Sequence, residues 1–502
     1  MLPDGRRETV PAAELAPGDR IEVLPGAGMP TDGRILTGRT EIDRSMLTGE
    51  TIPVDAGAGD AVHAGEINLS APIEVEVTAR AAESTLARIA EMVATAENAR
   101  NRYTSLADRA ARIYAPGVHG LAALAFLGWM AAGAGVVDAL RIAIATLIIT
   151  CPCALGLAVP AVSTAATGRL FRRGILLTGG TALERLAEVD TVLFDKTGTL
   201  TEGRPELIGA EALPEPVLAL AAALAAGSAH PLARAIAEAA ERRGVAPVAL
   251  QSRRELPGLG IEGEHGGARL RLGRAEWVAE IAGSAPQDAD AEAQDEPAEG
   301  PEVWLVRAGG RPLRLRFRDR LRPGIARAVA ALRRAGLELA LISGDRPAAV
   351  EAVARQLGIE HWRAGVRPED KLAEIERLKA EGRRVLMLGD GLNDAAALAA
   401  AHASAAPGSA LDAARTAADA ILTGAEGPAR LPELIAIARA ARRRVLENFA
   451  LAALYNAVSI PLALAGMVTP LIAAIAMSSS SIVVTLNAIR LPKGLPWPRS
   501  SI

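Results

Sequence analysis

FDKTGTLTEG, running from Phe194 to Gly203, is the stretch on which the fold of this chain turns. It follows the apolar, β-branched run VDTVLF, which ends at Phe194, and delivers Asp195 followed by Lys196, Thr197, Gly198, Thr199, Thr201 and Gly203. The pattern predicts a buried strand with a carboxylate at its C-terminal tip and a Gly/Thr loop able to wrap a phosphate. In open α/β sheets, ligands bind at the carboxyl ends of the strands. A carboxylate there can serve as a nucleophile that takes up a phosphoryl group. Asp, Thr and Gly are also turn residues, but a string this long and this ordered, placed after a strand, is more than a turn.

Two further strand-like runs end in similar loops. LELALI leads into Ser343-Gly344-Asp345, and RRVLML leads into Gly389-Asp390-Gly391, with Asn393 and Asp394 just beyond. Between them, VRPEDK presents Lys371. Alternating strands and helices over 319–423 predict a doubly wound parallel sheet.

The rest of the chain is large and partly apolar. Its 502 residues allow several domains. A net charge of -3 gives no bias toward nucleic acid. Half of the residues are hydrophobic, and they are concentrated in charge-free stretches at Pro116–Val137, Ile142–Gly168 and Phe449–Asn487. Gly466 and Pro470 divide the last stretch. One membrane span needs roughly 20 residues, so four helices are predicted, near 117–137, 142–163, 448–466 and 470–489. Arg169, Arg172, Arg173, Arg442, Arg443, Arg444, Arg490 and Lys493 flank them on what the positive-inside rule makes the cytoplasmic side. Both polar regions and both termini then lie in the cytoplasm. No signal peptide is recognisable after Met1. The acidic run from Ala285 to Gly300 reads as a solvated loop. The only cysteines, Cys151 and Cys153, have one residue between them, which suits a disulfide poorly.

DKTGTLT is the phosphorylation signature of P-type ATPases, and the chain resembles that family outward from Asp195 in both directions. The resemblance implies a multidomain α/β protein with membrane helices. A β-rich actuator domain would span 1–81, a linker helix 82–116 and the first two transmembrane helices 117–168. A haloacid-dehalogenase-like phosphorylation domain would be split over 169–204 and 318–425. An α+β nucleotide-binding domain would be inserted at 205–317. A second linker helix (426–447), transmembrane helices three and four (448–490) and a tail (491–502) would complete the chain.

The resemblance also implies roles. Asp195 would attack the γ-phosphate of ATP. Asp390 would hold Mg²⁺ together with Asp195 and the carbonyl of Thr197. Lys371 would neutralise the phosphoryl oxygens, and Thr197 and Ser343 would hydrogen-bond them, with Asp345, Asn393 and Asp394 completing the loops. Such sites work by positioning and charge neutralisation. Thr48-Gly49-Glu50 resembles the actuator's TGE loop, whose Glu50 would position the water that hydrolyses the aspartyl-phosphate. Ser228-Ala229-His230-Pro231-Leu232 and Pro257-Gly258-Leu259-Gly260 match the nucleotide site of heavy-metal pumps, implicating His230, Pro231, Gly258 and Gly260. The chain departs from that pattern at Ala225 and Ala229, where Glu is usual, and at Arg274, where Asn is common.

The second expected span holds TCPCALGLAVP. Pro152 removes a backbone donor and breaks or kinks the helix. Freed carbonyls are tolerated in a membrane where they line a protein cavity. The flanking thiolates are soft ligands that select Cu(I), Zn²⁺ or similar ions. Cu(I) pumps are similar in carrying CPC, then YN, then Met with SS after it. The carried-over ligand set is Cys151, Cys153, Tyr455, Asn456, Met477 and Ser481. Zn/Cd pumps usually have Lys and Asp in the last two spans, and neither interrupts Phe449–Asn487. MSSSSIVV also resembles the copper pumps that serve cytochrome oxidase assembly. The implied partners are ATP, Mg²⁺, a soft metal delivered by a cytosolic metallochaperone, and the bilayer of the inner (plasma) membrane.

Heavy-metal pumps usually carry four more helices before the actuator, often with a small CxxC domain ahead of them, whereas this chain starts at the actuator. That leaves three expectations: an ATP-driven Cu(I) exporter, a truncated and non-transporting membrane protein that keeps metal binding and phosphorylation or phosphatase activity, and a Zn/Cd pump. A soluble phosphatase of the same sheet type is disfavoured by the four spans and the TGE loop.

Overall fold

The structure is a computed structural model that describes residues 8–48, 52–100, 106–150, 153–256, 258–283, 300–424 and 426–490. It forms two compact units, Met1–Asn98 with Thr191–Ala418 and Ala99–Asp190 with Asp419–Ile502.

In the first unit, the N-terminal segment is built from short antiparallel strands. Arg20–Val23, Ile73–Val77, Gly33–Thr37 and Ala61–Val62 form one sheet in that order, and Val54–Gly57, Arg39–Asp43 and Ile67–Asn68 form another. Their period-two alternation turns Val23, Ile35, Ile42, Val62, Ile73 and Val75 inward. The buried Asn68 ties the sheets together. Its Nδ2 donates to the carbonyls of Val23 (2.9 Å) and Ala71 (2.8 Å), and its Oδ1 accepts from Thr40 Oγ1 (2.6 Å).

The Asp195 strand, Thr191–Asp195, is fully buried and lies at the centre of five parallel strands. Glu338–Ile342 and Val385–Leu388 flank it, with His361–Arg363 and Ala403–Pro407 outside them. Ile342 stands beside Asp195 and Leu388 beside Phe194, so the three central strands end together. Helices Ile325–Arg334, Pro347–Leu357, Pro368–Ala380 and Leu392–Ala400 alternate with these strands, as the doubly wound reading predicts.

A six-stranded antiparallel sheet is inserted after Asp195, in the order Thr201–Leu207, Leu313–Leu321, Glu302–Arg307, Ala268–Gly273, Gly260–His265 and Ser252–Leu256. Helices Glu215–Ala225 and Pro231–Arg242 cover it through Leu218, Leu224, Ile236 and Phe317. Thr201–Leu207 and Leu313–Leu321, paired antiparallel, run across the boundaries expected at 204/205 and 317/318. The insertion is therefore joined by a continuous two-stranded ribbon. A register irregularity between Thr201 and Pro205 lets Pro205 sit in the ribbon without donating to the ladder. The acidic run lies outside the described residues, except for Gly300.

The second unit contains the helices Leu106–Ala131, Val136–Ile149, Cys153–Phe171, Leu431–Leu464 and Pro470–Ala488. Two expected spans need correction. The first apolar helix is described over Leu106–Ala131 and stops at Ala131, where a turn with Gly133 at φ 86° follows. The second is not one helix over 142–163. It starts at Val136, stops at Ile149 and resumes at Cys153. Asp138 and Arg141 stay helical, their charged ends 3.7 Å apart one turn from each other and both exposed. The helix Val136–Ile149 ends at its cap Thr150, two residues before Pro152 in the sequence, a residue with no N–H to donate.

The second linker helix and the third span are one continuous 34-residue helix. Among the described residues, Gly427–Leu464 and Pro470–Ala488 are long and apolar enough to cross a membrane. Leu454 and Leu471 are exposed on these two helices, as are Leu124 on Leu106–Ala131 and Val137 on Val136–Ile149. Beside them, Ile175–Leu177 pairs antiparallel with Ala420–Leu422. There the buried Arg185 guanidinium meets Asp419 with both nitrogens, one at 2.8 Å. The C-terminal tail lies outside the described residues.

Candidate active site

Asp195 ends its strand almost completely buried. Helix Pro368–Ala380 brings Lys371, also buried, to face it. Lys371 Nζ donates to Asp195 Oδ1 at 2.6 Å and to Asp394 Oδ1 at 2.7 Å. Asp394 Oδ2 accepts from the backbone N–H groups of Asp390 (3.3 Å) and Gly391 (3.4 Å), which fixes the Asp390 loop.

Asp390 reaches into the Asp195 loop because residue 198 is glycine. Gly198 has φ +68°, and a Cβ there would lie 1.8 Å from Asp390 Oδ2. Both the backbone conformation and the free space therefore require glycine. Thr197 is buried in the same loop, with φ -77° and ψ 133°. Ser343 is buried at the tip of the neighbouring strand, and its Oγ accepts from the N–H of Asp345 at 3.2 Å.

Asn393 Nδ2 donates to the carbonyl of Thr48 at 3.2 Å, which ties the actuator-like segment to the Asp390 loop. Glu50, two residues further on, lies outside the described residues.

Asp195, Asp390 and Asp394 each offer a carboxylate oxygen, all within 4.8 Å of one another. Burial, then repulsion from Asp394, lifts Asp195 to a pKa of about 7 against the pull of Lys371. Burial, then Asp195 and Asp394, raises Asp390 well above the ordinary carboxylate range. For Lys371, burial pulls downward, but Asp195 and then Asp394 outweigh it and raise the pKa. Negative charge is thus in excess at the strand tips. A hard divalent cation that prefers oxygen ligands, such as Mg²⁺, fits this donor set and would reverse the upward shifts.

Sequence reasoning missed two neighbours. Lys196 Nζ donates to Asp345 Oδ2 (2.5 Å) and Asp319 Oδ2 (2.8 Å), so Asp345 serves this lysine and Asp319 shares it. Arg322 donates to the carbonyls of Gly198 and Thr199, the latter at 3.1 Å from Nε, and to Ser409 Oγ at 3.0 Å. It clamps the loop from behind. Asp319 and Arg322 sit in a charged run, LRLRFRDRLR, whose only legible signal is a solvated strand.

A cavity of about 460 Å³ in the inserted sheet is lined by His230, Glu255, Gly258, Gly260, Gly273 and Arg274, among others. The sequence-predicted His230, Gly258 and Gly260 therefore converge. A Cβ at Gly260 would lie 2.3 Å from the Leu272 carbonyl oxygen, so the two strands could not approach this closely without glycine.

His230 Nδ1 accepts from the N–H of Leu232 at 3.2 Å, and burial lowers the pKa of the imidazole against the opposing carboxylates of Glu41 and Glu255. Pro231 is placed differently from expectation. It is the first residue of its helix and faces a separate cleft with Gly203, Arg204 and Pro205. Its fixed φ suits that helical position. Glu255, bonded to Ser228 Oγ at 2.7 Å, supplies a carboxylate to the cavity from another strand. A second cleft of about 850 Å³ is lined by Arg274, Lys196, Arg318, Asp345 and Arg346.

In the second unit, the Tyr455 side chain packs against a buried cluster of Ile149, Ala463, Val468 and Ala473. Its hydroxyl is buried with no hydrogen-bond partner among the described residues. Ser480 and Ser481 donate to the Met477 carbonyl at 2.8 and 3.1 Å. Asn456 lies one residue beyond Tyr455 on the same helix. Cys151 and the side chain of Cys153 lie outside the described residues.

A buried carboxylate facing a buried lysine, with two further carboxylates beside it at the ends of a doubly wound sheet, is an arrangement of the haloacid-dehalogenase class. Residues 189–402 match the haloacid dehalogenase-like hydrolase family, and residues 1–94 match the P-type ATPase actuator domain. The crystal structure of a zinc-transporting PIB-type ATPase in the E2.Pi state superposes with a TM-score of 0.88 at 35% identity, over 98% of this chain and 81% of that one.

The nitrogen fixation protein FixI of Rhizobium leguminosarum bv. viciae is 45% identical over 97% of this chain and 63% of its own length. The probable copper-exporting P-type ATPase V of Mycobacterium tuberculosis (strain CDC 1551 / Oshkosh) is 39% identical over 98% of this chain and 64% of its own. The chain thus spans a little under two thirds of these curated relatives. It belongs to the P-type ATPases of the heavy-metal (PIB) type. That family works with ATP and Mg²⁺, and its fold of actuator, phosphorylation and nucleotide-binding domains with membrane helices is the one described above.

Proposed function

We propose that this chain couples ATP hydrolysis to the export of Cu(I) across the inner (plasma) membrane, through a phosphoryl group carried on Asp195. The observation that carries this reading is the buried bridge from Lys371 to Asp195 and Asp394, with Asp390 drawn against Gly198. A carboxylate oxygen of Asp195 attacks the γ-phosphorus of ATP. A P–O bond forms, the bond to the β-phosphate oxygen breaks, and ADP leaves. Lys371 neutralises the incoming phosphoryl oxygens, Ser343 and Thr197 hydrogen-bond them, and Arg322 keeps the loop in place. When bound, Mg²⁺ supplies charge neutralisation between nucleotide and carboxylates, with Asp390, Asp195 and the Thr197 carbonyl as its protein ligands. Glu50 orients the water that later attacks phosphorus and releases phosphate. Thr48, two residues before it, is already anchored to Asn393. His230, Gly258 and Gly260 receive the nucleoside.

Cys151, Cys153, Tyr455, Asn456, Met477 and Ser481 form the proposed ion path. Thiolate and thioether donors favour Cu(I), and ATPase V of Mycobacterium tuberculosis, itself named as a probable copper exporter, supports that choice. Zn²⁺ is the second reading, because the superposed pump transports zinc. The large domains and both termini face the cytoplasm, where a metallochaperone would deliver the ion. Metal occupancy and phosphorylation each bias one conformational equilibrium.

Acid-stable phosphoenzyme formed from labelled ATP tests the reading. Cu(I) is expected to stimulate it above Zn²⁺, and Asp195→Asn to abolish it. Phosphoenzyme persisting in that variant would overturn the assignment. ATP hydrolysis without metal flux into vesicles would remove transport from it.

A further inference from the structure

Arg274 stands where the nucleoside cavity meets the cleft that leads to Lys196, and it lines both. Among the described residues lining the cavity, Glu41, Glu255, Glu276 and Glu302 are acidic, and Arg274 is the only lysine or arginine. The cleft beyond it is rich in cations, including Arg318, Arg346 and Lys196. A nucleotide with its base beside His230 and its terminal phosphate directed at Asp195 must pass this junction.

The backbone of Arg274 is held firmly, because its N–H donates to the Leu259 carbonyl at 3.0 Å inside the Gly258–Gly260 turn. Its side chain is about half exposed and is engaged elsewhere: the guanidinium pairs with Asp55 on the strand Val54–Gly57 of the actuator-like segment. Asp55 also comes close to the same turn, since a Cβ at Gly258 would lie 3.7 Å from its Oδ1.

We propose that Arg274 is a shared contact, paired with Asp55 in the arrangement seen here and with the phosphates of a bound nucleotide once that pair opens. The proposal rests on the nucleotide reading of the cavity. Guanidinium binds carboxylate and phosphate through the same planar fork, so the two partners compete for it. Nucleotide binding then releases the Asp55 strand, and docking of that strand weakens nucleotide binding. An asparagine at this position lacks the charge to act in this way.

The test is equilibrium binding of ATP and of adenosine to the full chain in detergent, for Asp55→Asn, Arg274→Ala, Arg274→Lys, the double variant Asp55→Asn/Arg274→Ala, and His230→Ala. An exposed ion pair is worth up to about 1 kcal/mol, so Asp55→Asn is expected to tighten ATP about two- to fivefold and leave adenosine unchanged. Arg274→Ala is expected to weaken ATP roughly tenfold and adenosine little, as a charge-assisted hydrogen bond is lost. Arg274→Lys should recover part of that loss. In the Arg274→Ala background, Asp55→Asn should have no further effect. If Asp55→Asn leaves ATP affinity unchanged, or acts equally with and without Arg274, the exchange is refuted while the nucleotide site stands. If His230→Ala changes neither ligand's affinity, the nucleotide reading itself fails and the exchange fails with it.

Discussion

Replacing Gly198 by alanine separates the two demands that the phosphorylation loop places on this residue. The first is conformational: a left-handed φ costs a non-glycine residue about 1–2 kcal/mol. The second is spatial. The new Cβ would fall 1.8 Å from Asp390 Oδ2, whereas real Cβ atoms essentially never come closer than 3.0 Å, so the loop or Asp390 must move by at least about 1.2 Å. A misplacement of about 1 Å at a catalytic constellation costs roughly 10²-fold in rate, or about 2.7 kcal/mol of barrier. Gly209 is the internal control, because it has φ +69° and nothing within 4 Å of its added Cβ. Gly209→Ala therefore carries only the conformational penalty. The assay is the rate of phosphoenzyme formation from labelled ATP, measured against free Mg²⁺ and alongside thermal melting. Gly198→Ala should slow phosphorylation by about two orders of magnitude and raise the Mg²⁺ requirement. Gly209→Ala should lower the melting temperature less than Gly198→Ala, by the conformational penalty alone, and phosphorylate normally. Equal phosphorylation rates in the two variants would refute the placement of Asp390 against this loop.

Three further outcomes follow from buried charge. Lys371→Met leaves the facing carboxylates without their cation and should destabilise the protein by about 3–5 kcal/mol; Asp195, with a pKa of about 7 beside the lysine, would hold its proton to higher pH once that pull is gone, so the loss should be largest in alkali and shrink as pH falls, as thermal melting against pH would show. His230 has a lowered pKa in the folded state, so its contribution is complete above the ordinary value of 6.5 and is lost as pH falls below it; melting temperatures from pH 7.5 to 5.5 should drop more steeply for the wild type than for His230→Asn, which keeps an acceptor for the Leu232 N–H but does not titrate. Arg185→Met strands the buried Asp419 and should cost about 3–5 kcal/mol, whereas Arg185→Met with Asp419→Leu should recover most of it, because an ion pair replaced by apolar groups is close to neutral; no recovery in denaturant unfolding would contradict the closed pairing.

What the sequence revealed depended on how local the physics was. The Asp195 strand was legible because an unbroken apolar run followed by Asp and Gly has few other interpretations, and the same holds for the strands before Ser343 and Asp390. Lys371 was legible only by resemblance, since a lysine on an amphipathic helix has no local mark of the carboxylates it will meet. Asp319 and Arg322 were hidden in a charged strand, because their importance arises from Lys196 and the Gly198 carbonyl far away in sequence. The helix start at Val136 was misplaced because Asp138 and Arg141 looked like a polar boundary, although the pair sits one turn apart in the helix. The ribbon ends at Thr201 and Leu321 lie outside the boundaries expected at 204/205 and 317/318, because the pairing of these two strands, far apart in sequence, leaves no local mark. Glu255 could not be assigned to the nucleoside cavity before the sheet order placed its strand beside Gly260.

The unbroken helix Leu431–Leu464 has a mechanical consequence. At 1.5 Å per residue, its 34 residues make a rod of about 51 Å, with its one internal proline, Pro461, close to the far end. Against it pack both Cys153–Phe171 and Val136–Ile149, the latter ending at its cap Thr150. A stiff rod beside a shorter one does not share strain equally. Any axial push or twist applied at Leu431 travels the rod almost undiminished, and the shorter neighbour yields where it ends. Compliance in this bundle is therefore concentrated where Val136–Ile149 ends at its cap, Thr150, and not along the rod.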